Sequence, residues 1–173
     1  FVQTALSYHQ AAIITEQGVE RVWKSVQLRE TVQFLMRVLN DITNESIDAL
    51  LFLRGPGSFT ALRVGATWVN ALAFAKSLPM YTLSTLDYIA YAFDKPKEQL
   101  TITFDDQRHF FFENNEVKES LVLPLPPGTI NPDKNTLELN ASLAKKLFAS
   151  ISGEPQTIVD ILYVVPPKIT LKK

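Results

Sequence analysis

The sequence predicts an α/β fold built around a mixed sheet. Three observations lead to this prediction: an opening hairpin pattern, a short apolar run that ends in Gly-Pro-Gly, and a long helical pattern directly behind that run. With the segments between them they give the order β-β-β-α-β-α, which is typical of a sheet with helices on its faces.

The hairpin is predicted from an apolar run at 11–14, a turn at 16–18 and a second extended segment at 19–26. Between residues 29 and 40, apolar side chains recur at three- and four-residue spacing, which predicts a helix. The continuous apolar run at 49–53 predicts a strand that is buried on both faces.

The clearest predicted helix covers residues 58–77, with Ser58 as its N-cap and Pro79 beyond its end. Its polar residues fall within one narrow stripe, and apolar residues cover most of the remaining circumference. Because a sheet needs only about a 100° apolar stripe, we expect this helix to be buried on two sides.

The rest of the chain continues the alternation of strands and helices. A run of prolines between Pro124 and Pro132 is its one linker-like stretch. The predicted elements are a strand at 80–83, a helix at 85–93, a strand pair at 100–104 and 110–114, a helix at 141–150 capped by Asn140, and a strand at 161–165.

Composition limits the class of protein. The chain has 173 residues, of which 46% are hydrophobic and 20% charged, and this suits one compact domain or two small lobes. With 17 basic and 18 acidic side chains, it lacks the basic excess of a protein that binds nucleic acid alone. We therefore expect any role in RNA metabolism to depend on a protein partner or on a local basic patch.

The absence of cysteine excludes disulfides, thiolate metal sites and cysteine nucleophiles. No apolar run approaches the roughly 20 residues that span a bilayer, and no signal-peptide pattern opens the chain. We expect a cytoplasmic protein without a membrane partner. The chain begins with Phe1 and not Met, which leaves room for a few residues ahead of it.

The most informative segment is the turn between the apolar run and the long helix, Gly55-Pro56-Gly57-Ser58, which is followed by Phe-Thr and then Leu-Arg-Val-Gly. Glycines before a helix start permit either a sharp structural turn or an anion site. The Gly-Lys-Ser/Thr ending of a P-loop is absent, and so is the spacing of a dinucleotide fingerprint. A structural turn is the favoured interpretation.

This segment resembles the signature of the TsaB (YeaZ) family, and the similarity continues through residues 78–80 and 83–86. The resemblance implies an actin-like ATPase (ribonuclease H-like) fold with a mixed sheet and a trimmed second lobe. We expect an N-terminal lobe at 1–95 and a reduced second lobe with a C-terminal tail at 96–173. Members of this family are related to the glycoprotease-like M22 group.

The resemblance also implies a function. Proteins of this family are noncatalytic scaffolds that pair with TsaD, which transfers a threonylcarbamoyl group to the adenosine beside the tRNA anticodon, and the ATPase TsaE joins the pair. We expect tRNA to be contacted only indirectly. Two other hypotheses stay open: a nucleotide-binding actin-like module with weak ATPase activity, and a self-associating homodimer.

Several positions depart from the family pattern, and they weaken the case for nucleotide binding. Gln3-Thr4 stands where the family usually has Asp-Thr, and Glu30 where it often has His. Two helix glycines are replaced by Ala61 and Ala71, and residues 163–165 replace a Tyr-Leu-Arg.

No catalytic or metal site is predicted. His9 and His109 are far apart in sequence and lack metal-ligand spacing. Asp105 and Asp106 are adjacent, so on a strand their carboxylates would point to opposite faces. Ser58 has no evident base to activate it. We therefore expect no catalytic residue, metal or cofactor.

The two apolar helices remain as the candidate site. Apolar surface beyond the sheet-facing stripe favours a helix-on-helix protein contact, and in the family such helices form a four-helix bundle with TsaD or a second TsaB. The alternative is that other parts of the same chain cover them. The predicted interface residues are Val32, Leu35, Met36, Leu39, Ala61, Val64, Trp68, Ala71 and Ala75.

Overall fold

The computed structural model describes residues 1–26, 30–104, 109–113, 116–120, 124, 127–132, 137–152 and 154–162. Within these ranges the chain alternates strands and helices in the predicted order. The elements are β1 Val2–Gln3, β2 His9–Thr15, β3 Gly18–Ser25, α1 Thr31–Ile42, β4 Leu50–Leu53, α2 Phe59–Lys76, β5 Met80–Leu83, α3 Thr85–Phe93, β6 Thr101–Thr103, β7 His109–Glu113, β8 Glu116–Ser120 and α4 Ala141–Ala149.

The main sheet has five strands in the order β3-β2-β1-β4-β5. Strands β3, β2 and β1 are antiparallel, whereas β1, β4 and β5 are parallel. Val2 therefore pairs with Ala11 of β2 on one side and with Phe52 of β4 on the other. The predicted mixed sheet is confirmed.

The helices cover both faces of this sheet. His9 and Gln10 are neighbours on β2, so their side chains point to opposite faces. The His9 ring lies 5.7 Å from the Phe34 ring of α1, and Gln10 Oε1 accepts a hydrogen bond from Tyr88 of α3 at 3.0 Å. Helices α1 and α2, which contact each other, lie on the His9 face; α3 and α4 lie on the Gln10 face.

The core fills the space between the helices and the sheet. Strand β4 is buried along its whole length, as predicted for a strand covered on both faces. The largest fully buried side chains come from α1, α2, α3 and the central strands, among them Phe34, Phe52, Leu62, Tyr88 and Ile89. This core is contiguous and includes Leu143 and Leu147 of α4.

A second, antiparallel sheet has the order β6-β7-β8. The β6–β7 pair is confirmed, whereas β8 was not predicted, because Glu116–Ser120 has one aliphatic residue and no apolar alternation. The division into lobes at residue 95 stays a prediction; α4, which lies beyond it, packs against α3 and the main sheet.

Element ends differ from the sequence prediction in a few places. Helix α1 begins at Thr31 and continues to Ile42. Residues 27–29 lie outside the described residues, and so do residues 163–165 of the predicted C-terminal strand. The N-terminus of helix α4 is capped as predicted, because Asn140 Oδ1 accepts a hydrogen bond from the Leu143 N–H at 2.9 Å.

Candidate protein-interaction site

The glycine turn between β4 and α2 packs directly on the loop that follows β1. The Ser58 N–H donates to the Ala5 carbonyl at 2.7 Å. A Cβ on Gly57 would lie 2.2 Å from that same carbonyl oxygen, so this position accepts only glycine without a shift of the backbone. Gly55 has φ of 110°, which also favours glycine.

The other side of the turn is held by α3 and by the C-terminal segment. The Thr85 N–H donates to the Gly55 carbonyl at 2.8 Å, and Thr85 Oγ1 donates to the Pro56 carbonyl at 2.7 Å. The Leu162 N–H donates to the Arg54 carbonyl at 2.9 Å. The turn thus joins three parts of the chain through their backbones.

Ser58 occupies the N-cap position of α2, but its side chain forms no capping hydrogen bond. The expectation that its hydroxyl caps the helix was wrong. Its backbone does the anchoring instead, because the N–H is bound to Ala5 and the carbonyl accepts from the Leu62 N–H at 2.9 Å. At the start of α3, by contrast, Ser84 Oγ accepts from the Asp87 N–H at 3.1 Å.

Gln3, at the position where the family pattern has an acid, is fully buried. Its Nε2 donates to the Tyr8 carbonyl at 2.9 Å, and its Oε1 accepts from the Leu6 N–H at 3.0 Å. A carboxylate could accept from Leu6 but could not donate to Tyr8. The amide therefore closes the loop of residues 3–8 and contributes no charge.

Two buried tyrosines extend this neutral network. Tyr88 donates to Gln10, and the Tyr8 hydroxyl accepts from the Leu137 N–H at 3.2 Å. Burial, and secondarily the neighbouring Tyr8, raises the pKa of Tyr88 far above its usual range. Tyr88, beside Gln10, thus stays uncharged at physiological pH and offers no charge to a metal or a phosphate.

The predicted interface residues lie on α1 and α2, and seven of the nine are at least partly accessible. Val32 is 56% exposed and Met36 is 47% exposed. Leu39, Val64 and Trp68 are half-buried. Ala71 and Ala75 are exposed near the C-terminal end of α2. We call these seven residues the helix-pair face.

Leu35 and Ala61 are corrections to the predicted set. They are 1% and 3% exposed, so within this chain they belong to the core. The apolar residues of α1 form two arcs, and the arc that faces the sheet contains Phe34 and Val38, which periodicity alone placed off the main stripe. Spacing does not show which of two apolar arcs meets the sheet.

Phe74 is the residue that the sequence prediction missed. It is 90% exposed on α2, one residue from Ala75. An aromatic side chain that a folded chain leaves almost wholly in water is unusual, and larger patches of this kind mark interaction sites. The sequence did contain a signal for this exposure, because Phe74 lies on the side of α2 opposite its buried residues.

The charges beside the helix-pair face are mostly positive. Arg37, Arg63 and Lys76 are exposed on α1 and α2, and Arg63 lies over the Phe59 ring at 5.3 Å from its centroid. Helix α2 contains no acidic residue. On α1, Asp41 accepts a hydrogen bond from Trp23 Nε1 at 2.6 Å. The face is therefore apolar with a basic rim.

Neither histidine is placed among metal ligands in the part of the chain that is described. His9 Nε2 lies 2.9 Å from Thr31 Oγ1, and His109 is on β7 in the second sheet. The described residues contain no group of three or more His, Asp or Glu side chains that could hold a metal. Asp105 and Asp106 lie outside those residues. None of the described helices is both long and apolar enough to cross a membrane.

A family model described as TsaD, tRNA N6-adenosine threonylcarbamoyltransferase, matches residues 24–110, half of the chain. TsaB of Haemophilus influenzae, named as a tRNA threonylcarbamoyladenosine biosynthesis protein, is 52% identical over 46 residues, which are 27% of this chain. The Escherichia coli protein of the same name is 41% identical over 64 residues, which are 34% of this chain. The matched segments span 20% and 28% of these relatives' own length.

The structure of YeaZ from Pseudomonas aeruginosa superposes with a TM-score of 0.63 at 20% identity, covering 94% of this chain and 97% of that one. The predicted actin-like α/β fold agrees with this likeness, which extends well beyond the segment matched in sequence. The chain therefore belongs to the family whose model is described as TsaD, tRNA N6-adenosine threonylcarbamoyltransferase, and it is similar to the proteins named TsaB in sequence and to YeaZ in fold.

Proposed function

We propose that this chain is a noncatalytic scaffold subunit that pairs with TsaD in the threonylcarbamoyl transfer to the adenosine beside the tRNA anticodon. The observation that carries the proposal is the helix-pair face. Two adjacent helices leave apolar side chains of this face in water, including Val32 at 56% and Met36 at 47% exposure, and Phe74 of α2, outside the face, is 90% exposed. A partner that covers them would gain about 25 cal/mol for each Å² of apolar surface buried.

The charges favour a different chain as the partner over a second copy. Two copies joined through this face would bring the basic rims of both helix pairs together, and like charges across an interface cost free energy. A partner with an apolar centre and carboxylates around it would fit Arg37 and Arg63. This argument favours the heterodimer over the homodimer, which is the second candidate.

Ala71 adds selectivity to this contact. It replaces a family glycine and is exposed, so its methyl group limits how closely a helix of the partner can approach. The other replacement, Ala61, is buried and does not touch the partner. We therefore expect the chain to pair best with the TsaD of its own organism.

The noncatalytic role is supported by the environment of Gln3. Phosphoryl transfer depends on charges and metal ions held beside the phosphates. Here the position of the family's acid is a neutral amide that closes a loop, and it pairs across the sheet with Gln10, which accepts a hydrogen bond from the uncharged Tyr88. In this proposal TsaE joins through the TsaB–TsaD pair, tRNA is contacted indirectly, and the assembly is cytoplasmic with lobes divided near residue 95.

The test is co-purification with the organism's own TsaD. Ala71→Arg and Ala75→Glu should abolish the complex, because an unpaired charge buried in an interface costs several kcal/mol. The matched control is Ala149→Glu, an exposed alanine near the end of α4 on the opposite sheet face. Circular dichroism should show that all three variants fold.

Two results would decide against the proposal. If the folded Ala71 and Ala75 variants bind TsaD as the parent does, the interface lies elsewhere. If the parent forms only dimers with itself, and both charge variants dissolve them, the self-associating protein is the correct function. Magnesium-dependent ATP hydrolysis by the isolated chain at about 1 per second or faster would favour the nucleotide-binding module.

A further inference from the structure

A second exposed surface lies on the flank of α2 that borders the C-terminal segment of the chain. With about 100° of rotation per residue, Arg63, Asn70 and Phe74 fall within about 40° of one another on this flank. Ala71 and Ala75 of the helix-pair face lie, on average, about 100° further around the same helix. The flank is therefore a separate surface from the helix-pair face.

Residues 154–162, which we call the strap, run along this flank in the direction opposite to α2. The Gln156 N–H donates to the carbonyl of Met80, which lies beyond the C-terminal end of α2, at 2.7 Å. The Val159 N–H donates to Asn70 Oδ1 at 2.9 Å. The end of the strap is bound to the turn that precedes α2. These contacts fix the position of the strap along the helix.

Two large apolar side chains of this surface are left in water. Phe74 is 90% exposed, and Ile158 of the strap is 69% exposed. Both lie on the same side of the Val159–Asn70 hydrogen bond, towards the C-terminal end of α2. Phe74 and Ile158 are therefore the apolar centre of a surface with one row of residues on the helix and one on the strap.

The charges of the surface are divided between these two rows. Arg63 of α2 is exposed, and its guanidinium lies 5.3 Å from the centroid of the Phe59 ring. The strap carries the exposed carboxylates Glu154 and Asp160. In the part of the chain that is described, neither Arg63 nor Asp160 forms an ion pair. Because the helix row is basic and the strap row is acidic, the surface is complementary to itself.

We propose that this surface binds a second copy of the chain, with α2 of each copy packed on the strap of the other. A two-fold axis parallel to α2 brings residues at the same height along the helix together. Phe74 then meets Ile158 of the second copy, and Arg63 meets its Asp160. Each contact occurs twice, as in every isologous interface. The inference goes beyond the proposed function, because it leaves the helix-pair face free for TsaD.

The size of the surface indicates a weak dimer. Helix α2 has 18 residues and is about 27 Å long. A helix about 10 Å wide with an adjacent extended segment gives a projected area of about 400 Å² on each copy. A standard interface buries about 800 Å² per partner, and weak, transient contacts bury less. We therefore expect a dissociation constant of about 10–100 µM.

The first experiment is sedimentation of the 173-residue chain between about 1 and 300 µM. The parent should show a reversible equilibrium between monomer and dimer. Phe74→Asp changes a side chain that the fold leaves in water, and it should weaken self-association at least about ten-fold. The matched control is Val32→Asp, the same kind of change on the helix-pair face, which should leave self-association as in the parent.

The second experiment exchanges the charges. Arg63→Asp and Asp160→Arg should each remain monomeric at about 300 µM, because like charges then meet at both ends of the interface. An equimolar mixture of these two variants should associate within about three-fold of the parent's affinity. In that mixed dimer both pairs are again opposite in charge. A merely adhesive apolar surface would not show this recovery.

The proposal is overturned if the parent is monomeric at about 300 µM, or if the mixture of the two charge variants fails to associate. The other possible occupant is TsaD. If the parent is monomeric and Phe74→Asp instead weakens the complex with TsaD, the flank belongs to that complex and the assignment to a second copy is wrong.

Discussion

Gly65 provides the sharpest test of how α2 is packed. A Cβ at this position would lie 2.3 Å from Thr4 Oγ1 and 2.9 Å from Cε2 of Phe52. Thr4 and Phe52 are both fully buried, so neither can move into water. In Gly65→Ala, alanine favours the helix by about 1 kcal/mol. Overpacking a core costs about 1–3 kcal/mol, and we expect it to outweigh that gain.

The expected result is a net loss of up to about 2 kcal/mol, measured by urea denaturation, with a melting temperature lower by up to about 8 °C for a chain of this size. Thr4→Ala removes the nearest atom. In that background Gly65→Ala should cost at least about 1 kcal/mol less, which a double-mutant cycle would show as coupling.

The matched control is Ala71→Gly, an exposed position of the same helix where only propensity changes. It should destabilise the chain by about 1 kcal/mol. If Gly65→Ala stabilises the chain while Thr4 is present, the close approach of α2 to the loop after β1 does not exist, and the structural reason for this glycine is refuted.

Three further predictions concern caps, the buried amide and the terminus. Ser58→Ala should change the free energy of unfolding by less than about 0.5 kcal/mol, whereas Ser84→Ala should cost about 1 kcal/mol, because only Ser84 forms a capping bond. Equal losses in urea denaturation would contradict this. Gln3→Glu should cost several kcal/mol, since it removes the donor to Tyr8 and buries a charge; an unchanged urea midpoint would show that the loop does not need the amide. For a chain with a free Phe1 amine, the pKa falls from 8.0 unfolded to about 5 folded, so the unfolded state binds the proton first as the pH drops. Stability should therefore decrease from pH 8 to pH 5, by up to about 4 kcal/mol, and a chain acetylated at Phe1 should lack that decrease.

Much of the architecture could be predicted from the sequence, because periodicity reports burial within each element. The run at 49–53 became a strand buried throughout, and the helix at 85–93 was found at its predicted bounds. Asn140 capped α4 as its residue type suggests. The turn at 55–58 also carried the resemblance to the family, because glycine and proline at fixed positions are required by a particular backbone conformation.

Properties that depend on contacts between distant segments could not be predicted. The α1 pattern contains two apolar arcs, and only the sheet decided that Phe34 and Val38 are core while Val32 and Met36 are exposed. Phe74 is a second case, because its 90% exposure depends on which other elements of the fold pack against α2.

What the sequence alone determined about this protein is the order of its elements, their periodic faces and the residues of the turn. The tertiary structure decided that Ser58 anchors α2 by its backbone to Ala5 and that Gln3 closes a loop. The physical reason is that propensity and periodicity act between neighbours along the chain. Desolvation, close packing and backbone pairing act between residues that only the fold brings together.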